Sequence, residues 1–352
     1  MKGSIVFKKG GLYYLDQTKL PLNETYKECT TLSQGYRAIK ELKIRGAPLI
    51  GVFAAYCVYI GVKKFKGDKK VKFFNYFDKI INYLKDSRPT AVNLFWALQR
   101  IQTIVYANTA KNIDGLKKLI LREAKMIHAE DIRLCSRMAD NGVNLIKSGD
   151  RILTHCNTGF LATSGEGTAL AVIYKAHRLY KNIRIYVDET RPLLQGARLS
   201  AWELIKKGVD VTLITDNMAA YLMQQKKVDK IFVGADRITS FGDLANKIGT
   251  YNLAVLAEHH KIPFYVVAPL TSFDLTLEEG KNIPIEERNA SEVRTVLNKV
   301  QITPRKVKVY NPAFDITPHR YIRAIVTDKG IINPPFRENI LRVARGEGRK
   351  GE

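Results

Sequence analysis

Cys156 lies between a short apolar segment and a run of small residues, in the sequence ILTHCNTGFLATSGEGTALAVI over 152–173. We interpret the apolar segment as a buried strand that delivers Cys156 to the edge of a sheet. The glycines after it allow backbone to approach a ligand closely, and a helix beginning near Thr168 would favour an anion through its free N–H groups. Because no Gly-Lys-Ser/Thr follows, a small phosphate-bearing molecule fits this loop better than a nucleoside triphosphate.

The thiol of Cys156 has two interpretations. Most free cysteines are buried and inert, and this one could be another. A thiol at a strand end, beside His155 and near a helix start, would instead have a lowered pKa and favour thiolate chemistry. The spacing of the residues is compatible with both.

Polar residues also follow the next three predicted strands. Ligands of open α/β sheets bind beyond the carboxyl ends of the strands, so consecutive polar strand ends indicate a binding site. Asn246 and Lys247 come soon afterwards in GDLANKIGT, where we expect a helix to start and the two side chains to hydrogen-bond sugar hydroxyls. The polar strand ends are Asp188, Glu189, Thr190 and Arg191, then Thr215, Asp216 and Asn217, then Gly234, Ala235, Asp236 and Arg237.

Two arginines lie in segments that could hold a phosphate. Arg45 in IRGAPLIG precedes Gly46 and Ala47, whose tight backbone could offer N–H donors, and Arg88 in SRPTAVNL precedes Pro89 in an extended segment that opens a helix. The guanidinium fork matches phosphate oxygens. Each arginine could equally be an ordinary salt bridge or a surface cation.

The other histidines and the cysteines form no metal or nucleophile motif. His259 and His260 lack metal-site spacing, and no Ser-His-Asp grouping can be assembled. The four cysteines include no C-x-x-C pair, which argues against a zinc cluster or a disulfide framework. We therefore expect no zinc cluster and a reducing, cytoplasmic location.

The elements that must position these residues differ between the two parts of the chain. In 131–352, short apolar strands alternate with helices, which predicts an α/β domain with a Rossmann-like, doubly wound parallel sheet but without the dinucleotide glycine fingerprint. Residues 1–130 predict a smaller, mostly helical N-terminal domain that carries a β-hairpin with Gly-Gly at its turn.

Composition excludes some classes of protein. No apolar run approaches the ~20 residues that span a bilayer, so we expect no membrane association. The net charge of +23 comes from 57 Lys and Arg against 34 Asp and Glu. It could steer an anionic ligand or be a lysine-rich solvated surface, but the scattered basic residues lack aromatic stacking platforms, so we expect no nucleic-acid partner.

Nearly the whole chain resembles the S-methyl-5-thioribose-1-phosphate isomerases of methionine salvage. The fold is shared with ribose-1,5-bisphosphate isomerases and with regulatory subunits of the exchange factor for translation initiation factor two. The segments that carry the resemblance are IRGAPLIG, SRPTAVNL, ILTHCNTG, DETRPLLQGARLSAWEL, ITDNMAA, VGADRI, GDLANKIGTYNLAVLAEHHKIPFYVVAP, IPIEERN and NPAFDITP.

The resemblance implies roles for residues at the matching positions. It makes Cys156 the catalytic cysteine and Asp236 the proton donor, and it implies a homodimer that needs no cofactor or metal. The chain departs from the pattern at Glu166 in SGEGTA, where an aromatic residue is expected, and a carboxylate beside a phosphate would repel it unless it points away or pairs with an arginine. The implied substrate contacts are Arg45, Gly46, Ala47, Arg88, Gln195, Asn246 and Lys247.

The implied reaction is an aldose–ketose isomerisation of a phosphorylated pentose. Asp236, kept protonated by an apolar pocket, would donate to the ring oxygen, and Cys156 as thiolate would move the C2 proton to C1. A direct hydride shift with Cys156 only organising the site is the alternative. A ribose-1,5-bisphosphate isomerase and a non-catalytic regulatory subunit of a translation-factor complex are the rival functions, although a regulatory subunit would have no chemical need for both residues.

Overall fold

The fold is described from a computed structural model, for residues 3–88, 91–180, 182–297 and 299–347. Pro89 lies outside these ranges. The chain divides into two compact units, each made of two stretches. The first comprises Met1–Leu134 and Phe160–Gly167, and the second comprises Cys135–Gly159 and Thr168–Glu352.

The predicted N-terminal hairpin is confirmed, but its turn is not Gly-Gly. The turn residues are Lys9 and Gly10, both with positive φ, and Gly11 already pairs in the second strand. This register places Ile5 opposite Tyr14, so that both are buried; a shift by one residue would expose them. A third strand, which we did not predict, completes an antiparallel sheet in the order β1-β2-β3. The strands are β1 (Ile5–Lys8), β2 (Gly11–Leu15) and β3 (Tyr26–Cys29).

Helices make up most of the first unit, as predicted. α2 is buried along nearly its whole length, which explains why its sequence is apolar on all sides, and it packs against α4 in the core. The fifth helix carries the chain past Leu134, where this unit ends. The helices are α1 (Leu32–Lys40), α2 (Ala47–Lys63), α3 (Lys70–Lys85), α4 (Val92–Tyr106) and α5 (Ile113–Gly142).

Hydrogen bonds from several elements hold the segment Phe160–Gly167 in the first unit. Ser4 Oγ donates to the carbonyl oxygen of Phe160 at 2.6 Å, and the backbone N–H of Leu49 in α2 donates to that of Ala162 at 3.1 Å. The backbone N–H of Ser164 donates to Asp131 Oδ2 in α5 at 2.5 Å. Burial raises the pKa of Asp131 from 3.8 to about 6, although the bond from Ser164 favours the charged form.

Asp131→Asn should stabilise the protein above pH 6. An acid whose pKa is higher folded than unfolded costs stability as pH rises, here between about pH 4 and pH 6, because the folded state must then hold a buried charge. Asparagine keeps an oxygen acceptor for Ser164 without that charge. At pH 8 we expect a gain of roughly 1–3 kcal/mol in unfolding free energy, measured by urea denaturation, and no gain at pH 4. Asp114→Asn, at an exposed position of the same helix, is the control, and a less stable Asp131→Asn variant at pH 8 would contradict the expectation.

The second unit contains the predicted parallel sheet, which confirms the α/β class. Its seven strands have the order β16-β15-β10-β7-β4-β5-β6, all parallel except β16. The chain starts at β4, adds β5 and β6 on one side, and then crosses to β7 on the other. The strands of this unit are β4 (Arg151–Thr154), β5 (Arg184–Asp188), β6 (Asp210–Ile214), β7 (Lys230–Val233), β8 (Arg237–Thr239), β9 (Leu244–Lys247), β10 (Phe264–Val267), β11 (Phe273–Asp274), β12 (Thr295–Val296), β13 (Val300–Gln301), β14 (Phe314–Thr317), β15 (Ala324–Thr327) and β16 (Gly330–Ile332).

A smaller sheet in the order β11-β8-β9-β14 was not predicted. It corrects one expectation, because Asn246 and Lys247 lie in strand β9 and not at the start of a helix. The next helix begins at Thr250. Strands β12 and β13 form a separate two-stranded hairpin.

Helices follow most strands of the large sheet. A turn of π-helix, Gly196–Ser200, leads into α7. Among the described residues, no helix has the length and apolar character needed to cross a membrane. The helices are α6 (Ala169–Tyr180), α7 (Ala201–Lys206), α8 (Ala219–Gln224), α9 (Thr250–His260), α10 (Ser291–Arg294) and α11 (Phe336–Ala344).

Candidate active site

Cys156 lies just beyond the carboxyl end of β4 and is half-buried. Its backbone is left-handed, with φ +59°. Its N–H donates to Thr190 Oγ1 at 2.9 Å, and its carbonyl oxygen accepts from Ser200 Oγ at 2.7 Å. Both peptide groups of the residue are therefore fixed by side chains from the segment that follows β5.

Thr190 is itself held in a conformation that β-branched residues rarely adopt. Its φ is +63° and its side chain is fully buried. The backbone N–H groups of Thr190 and Arg191 donate to the carboxylate of Asp216 at 2.8 and 2.7 Å. Thr190 and Cys156 are bonded to each other, and several hydrogen bonds hold each of them in its left-handed conformation. Strained backbone that is held in this way is characteristic of functional sites.

His155 precedes Cys156 and is only 1% exposed. Its Nδ1 lies 2.9 Å from Asp188 Oδ2 at the end of β5, and its Nε2 lies 2.9 Å from the carbonyl oxygen of Ile248 after β9. A Cβ added to Gly249, which has φ +104°, would lie 2.8 Å from His155 Cε1, so the imidazole occupies the space that a side chain there would need. The histidine ties three strand ends together.

Asp236 follows β7, the strand that pairs with β4 on the side away from β5. It is half-buried, and its N–H donates to the carbonyl oxygen of Ala245 at 3.0 Å. The pairing of β8 with β9 begins at the next residue, Arg237, which lies opposite Ala245, the neighbour of Asn246. The segments after β4 and β7 are in contact, because a Cβ at Gly234 would lie 2.8 Å from Thr158 Cγ2.

Asn246 and Lys247 are held by their own neighbours. Asn246 is buried and donates to Thr250 Oγ1 at 2.9 Å, while Lys247 Nζ donates to the carbonyl oxygen of Ala313 at 2.7 Å. Asp315, opposite Asn246 on β14, accepts from the N–H of Gly249 at 2.7 Å and from that of Tyr251 in the first turn of α9 at 3.1 Å. Burial raises the pKa of Asp315 to about 6, against the effect of those bonds.

Gln195 lies between the strained turn at Thr190 and the π-helical turn. Its side chain is 6% exposed, and Oε1 is a buried atom without a hydrogen-bond partner among the described residues. Buried amide oxygens are almost always satisfied in proteins, so an exception needs an explanation.

The remaining predicted residues belong to the first unit. Gly46, with φ +91°, precedes α2, and a Cβ there would lie 2.4 Å from Cα of Ala162. Arg45, Ala47 and Arg88 are half-buried, and so is Glu166 in the segment that follows Ala162.

His155, Asp188 and Asp216 come close enough to share a metal ion, with ligand atoms within 4.8 Å of one another. Each of them already has hydrogen-bond partners, which account for the cluster: Nδ1 and Nε2 of His155 are both occupied, and Asp216 receives two backbone N–H groups.

Sequence reasoning placed His155, Asp188, Thr190 and Asp216 at the sheet edge but gave none of them an individual role. The signal was present, since a histidine at one strand end and carboxylates at the next two can bond only where parallel strands lie side by side. Ser200 was missed, because its hydroxyl reaches Cys156 from a helical turn and leaves no local pattern.

The family resemblance inferred from the motifs is confirmed by comparison with known proteins. Residues 43–334 match the model of the Initiation factor 2 subunit family. The chain is 48% identical over 340 residues to a methylthioribose-1-phosphate isomerase of Desulforamulus reducens, covering 97% of this chain and 98% of the relative. It is also 48% identical over 345 residues to a 5-deoxyribose 1-phosphate isomerase of Moorella thermoacetica, covering 98% of each.

Comparison with a solved structure supports the same family. The crystal structure of 5-methylthioribose 1-phosphate isomerase from Pyrococcus horikoshii OT3 superposes with a TM-score of 0.91 at 44% identity, over 98% of this chain and 96% of that one. The chain therefore belongs to the Initiation factor 2 subunit family and, within it, to the methylthioribose-1-phosphate isomerases.

Proposed function

We propose that this protein converts 5-methylthioribose 1-phosphate to 5-methylthioribulose 1-phosphate, with Asp236 as general acid and Cys156 as thiolate base. One observation carries the assignment of residues: Cys156 and Asp236 follow β4 and β7, the neighbouring strands between which the chain order of the sheet reverses. Small ligands of α/β sheets bind in the crevice beyond such a reversal.

The substrate makes this pair of groups useful. A phosphate on the anomeric oxygen locks the sugar ring, so the carbonyl needed for enolisation does not exist until the ring opens. Asp236 would protonate the ring oxygen as it leaves C1, and Cys156 would take the C2 proton and return it to C1. As the C2 hydroxyl becomes the ketone, its proton would return to Asp236, so that both groups end the reaction as they began it.

The other predicted contacts would hold the sugar and its phosphate. Asn246 and Lys247 lie on β9, which pairs with the strand that begins just after Asp236. Oε1 of Gln195 has no hydrogen-bond partner among the described residues and could accept a hydrogen bond from a sugar hydroxyl. Arg45, Gly46, Ala47 and Arg88 are kept as predicted substrate contacts on the basis of the resemblance. We also propose, on that basis, a cytoplasmic homodimer.

The substrate can be tested with three sugars assayed side by side. We expect the highest kcat/KM with 5-methylthioribose 1-phosphate. Removing the methylthio group, as in 5-deoxyribose 1-phosphate, should lower kcat/KM about 10- to 200-fold, the range for a small apolar group. The product is followed by NMR, with the Asp236→Asn protein as background control. A higher kcat/KM for ribose 1,5-bisphosphate would make the protein the bisphosphate isomerase, and no turnover of any sugar would favour a regulatory subunit.

A further inference from the structure

His155 has a bonding pattern that fixes where its protons are. The carbonyl oxygen of Ile248 can only accept, so Nε2 must carry a proton. Nδ1 faces Asp188 Oδ2 at 2.9 Å, and the other oxygen of that carboxylate, Oδ1, is buried with no hydrogen-bond partner among the described residues. Burial raises the pKa of Asp188, whereas the hydrogen bond and charge of His155 lower it and favour the carboxylate. With Asp188 ionised, both ring nitrogens donate and the imidazole is a cation.

The charges around the ring favour the cation. Asp188 at the end of β5 is hydrogen-bonded to it, Asp216 lies nearby after β6, and Asp315 on β14 is close enough to interact with its charge. Burial alone would lower the pKa of His155, but the hydrogen bond and charge of Asp188, with the charge of Asp216, outweigh it and raise that pKa. His128 offers the contrast within the same chain. It is hydrogen-bonded to Tyr56 at 3.1 Å, and burial lowers its pKa.

We propose that His155 is a positioning residue that remains an imidazolium throughout turnover, holding the strained turn of Cys156 against β9 and supplying the positive charge that stabilises its thiolate. This inference rests on the proposed function for its catalytic meaning. The fixed charge itself is a property of the resting protein.

The same geometry excludes a direct acid–base role for His155. Both ring nitrogens are bonded, and the side chain is 1% exposed. It cannot reach the sugar without breaking two hydrogen bonds in a buried site. Its effect on the reaction therefore passes through Cys156, the next residue, whose backbone it anchors on one side while Thr190 anchors the other.

The first test reads the charge directly in the wild-type protein. Histidine labelled with ¹⁵N is examined by long-range ¹H–¹⁵N NMR between pH 6 and pH 8.5. We expect both ring nitrogens of His155 to show the protonated pattern over this range, while His128 shows a neutral imidazole at pH 7.5 and above. A neutral His155 at pH 7.5 would overturn the inference, whatever the protein turns over.

The second test distinguishes an electrostatic effect of His155 on Cys156 from a purely structural role. In His155→Gln, the rate at which iodoacetamide alkylates Cys156 is measured against pH, with His128→Gln as control and circular dichroism as the check on folding. We expect the midpoint to rise by about one pH unit, the lower end of what a neighbouring opposite charge contributes. About tenfold less thiolate would then form below the midpoint, and kcat should fall by about that factor while KM changes little.

A folded His155→Gln protein in which the pH midpoint of Cys156 alkylation is unchanged would show that His155 has only a structural role, and the inference would fail. If wild-type protein isomerises none of the three sugars while His155 is charged and the midpoint shifts, the proposed function fails and the electrostatic role of His155 stands.

Discussion

Asp236→Asn should lower kcat by about 10²- to 10⁴-fold while leaving KM within a few-fold, because asparagine keeps the size of the side chain but has no acidic proton to give. In the proposed reaction that proton is needed only as the ring oxygen leaves C1. The loss should therefore fall on the transition state and not on substrate binding. The measurement is steady-state kinetics, with substrate affinity from calorimetry.

A matched control lies in the same small sheet. Asp274 on β11 is partly buried and pairs with Arg237, the residue next to Asp236, at 3.5 Å. Asp274→Asn changes a carboxylate nearby without touching the acid, and we expect its kcat within a few-fold of wild type. Normal turnover by Asp236→Asn would refute the assignment of the acid, and equal losses in the two variants would show that the sheet, not the proton, was disturbed.

Cys156→Ser should have a loss of similar size, about 10²- to 10⁴-fold in kcat. Serine preserves the shape of the turn, but its hydroxyl does not ionise near neutral pH and so cannot serve as the base. Cys135→Ser, at a buried cysteine of α5, is the control for replacing a thiol in general. A Cys156→Ser protein with nearly normal kcat would show that Cys156 is not the base and only organises the site.

Isotopes distinguish the two routes for the hydrogen at C2. In D₂O, a thiolate that exchanges with solvent should place deuterium at C1 of the product, and substrate deuterated at C2 should lose its label. Complete retention of the C2 deuterium at C1 would instead support a hydride shift. The experiment uses wild-type protein, so its interpretation does not depend on the folding of any variant.

The large sheet could be predicted from the sequence because its strands are continuous buried runs. Phe264–Val267 is buried at every position and Lys230–Val233 at all but the first, and such runs between helices specify parallel strands. Strands β8 and β9 could not be predicted in this way. Leu244–Lys247 ends in an amide and an ammonium, and it is a strand because it pairs with Phe314–Thr317, far along the chain.

In the candidate site, too, locally specified features could be predicted and those that depend on distant parts of the chain could not. Cys156 and Asp236 could be predicted to lie at the sheet edge because each follows shortly after an apolar strand, which is local information. Only the family resemblance singled them out from the other polar residues there. The residues that hold Cys156 in place could not be identified individually, because they lie far from it in the sequence. Thr190 and Ser200 bond to Cys156 itself, and Ile248 bonds to its neighbour His155. Lys9 and Gly10 replaced Gly-Gly as turn residues for a similar reason, since burial of Ile5 and Tyr14 selects the register.

The left-handed backbone at Cys156 and Thr190 has a consequence for engineering and for natural drift. Each such residue costs about 1–3 kcal/mol. At 190, glycine would remove the buried hydroxyl that accepts from the N–H of Cys156, so relief of the backbone would be offset there. At the half-buried position 156, glycine would relieve the left-handed backbone and remove the thiol. A library screened for heat resistance alone should therefore accumulate glycine at 156, and those variants should be more stable and inactive, so thermal improvement of this protein should be sought elsewhere in the chain.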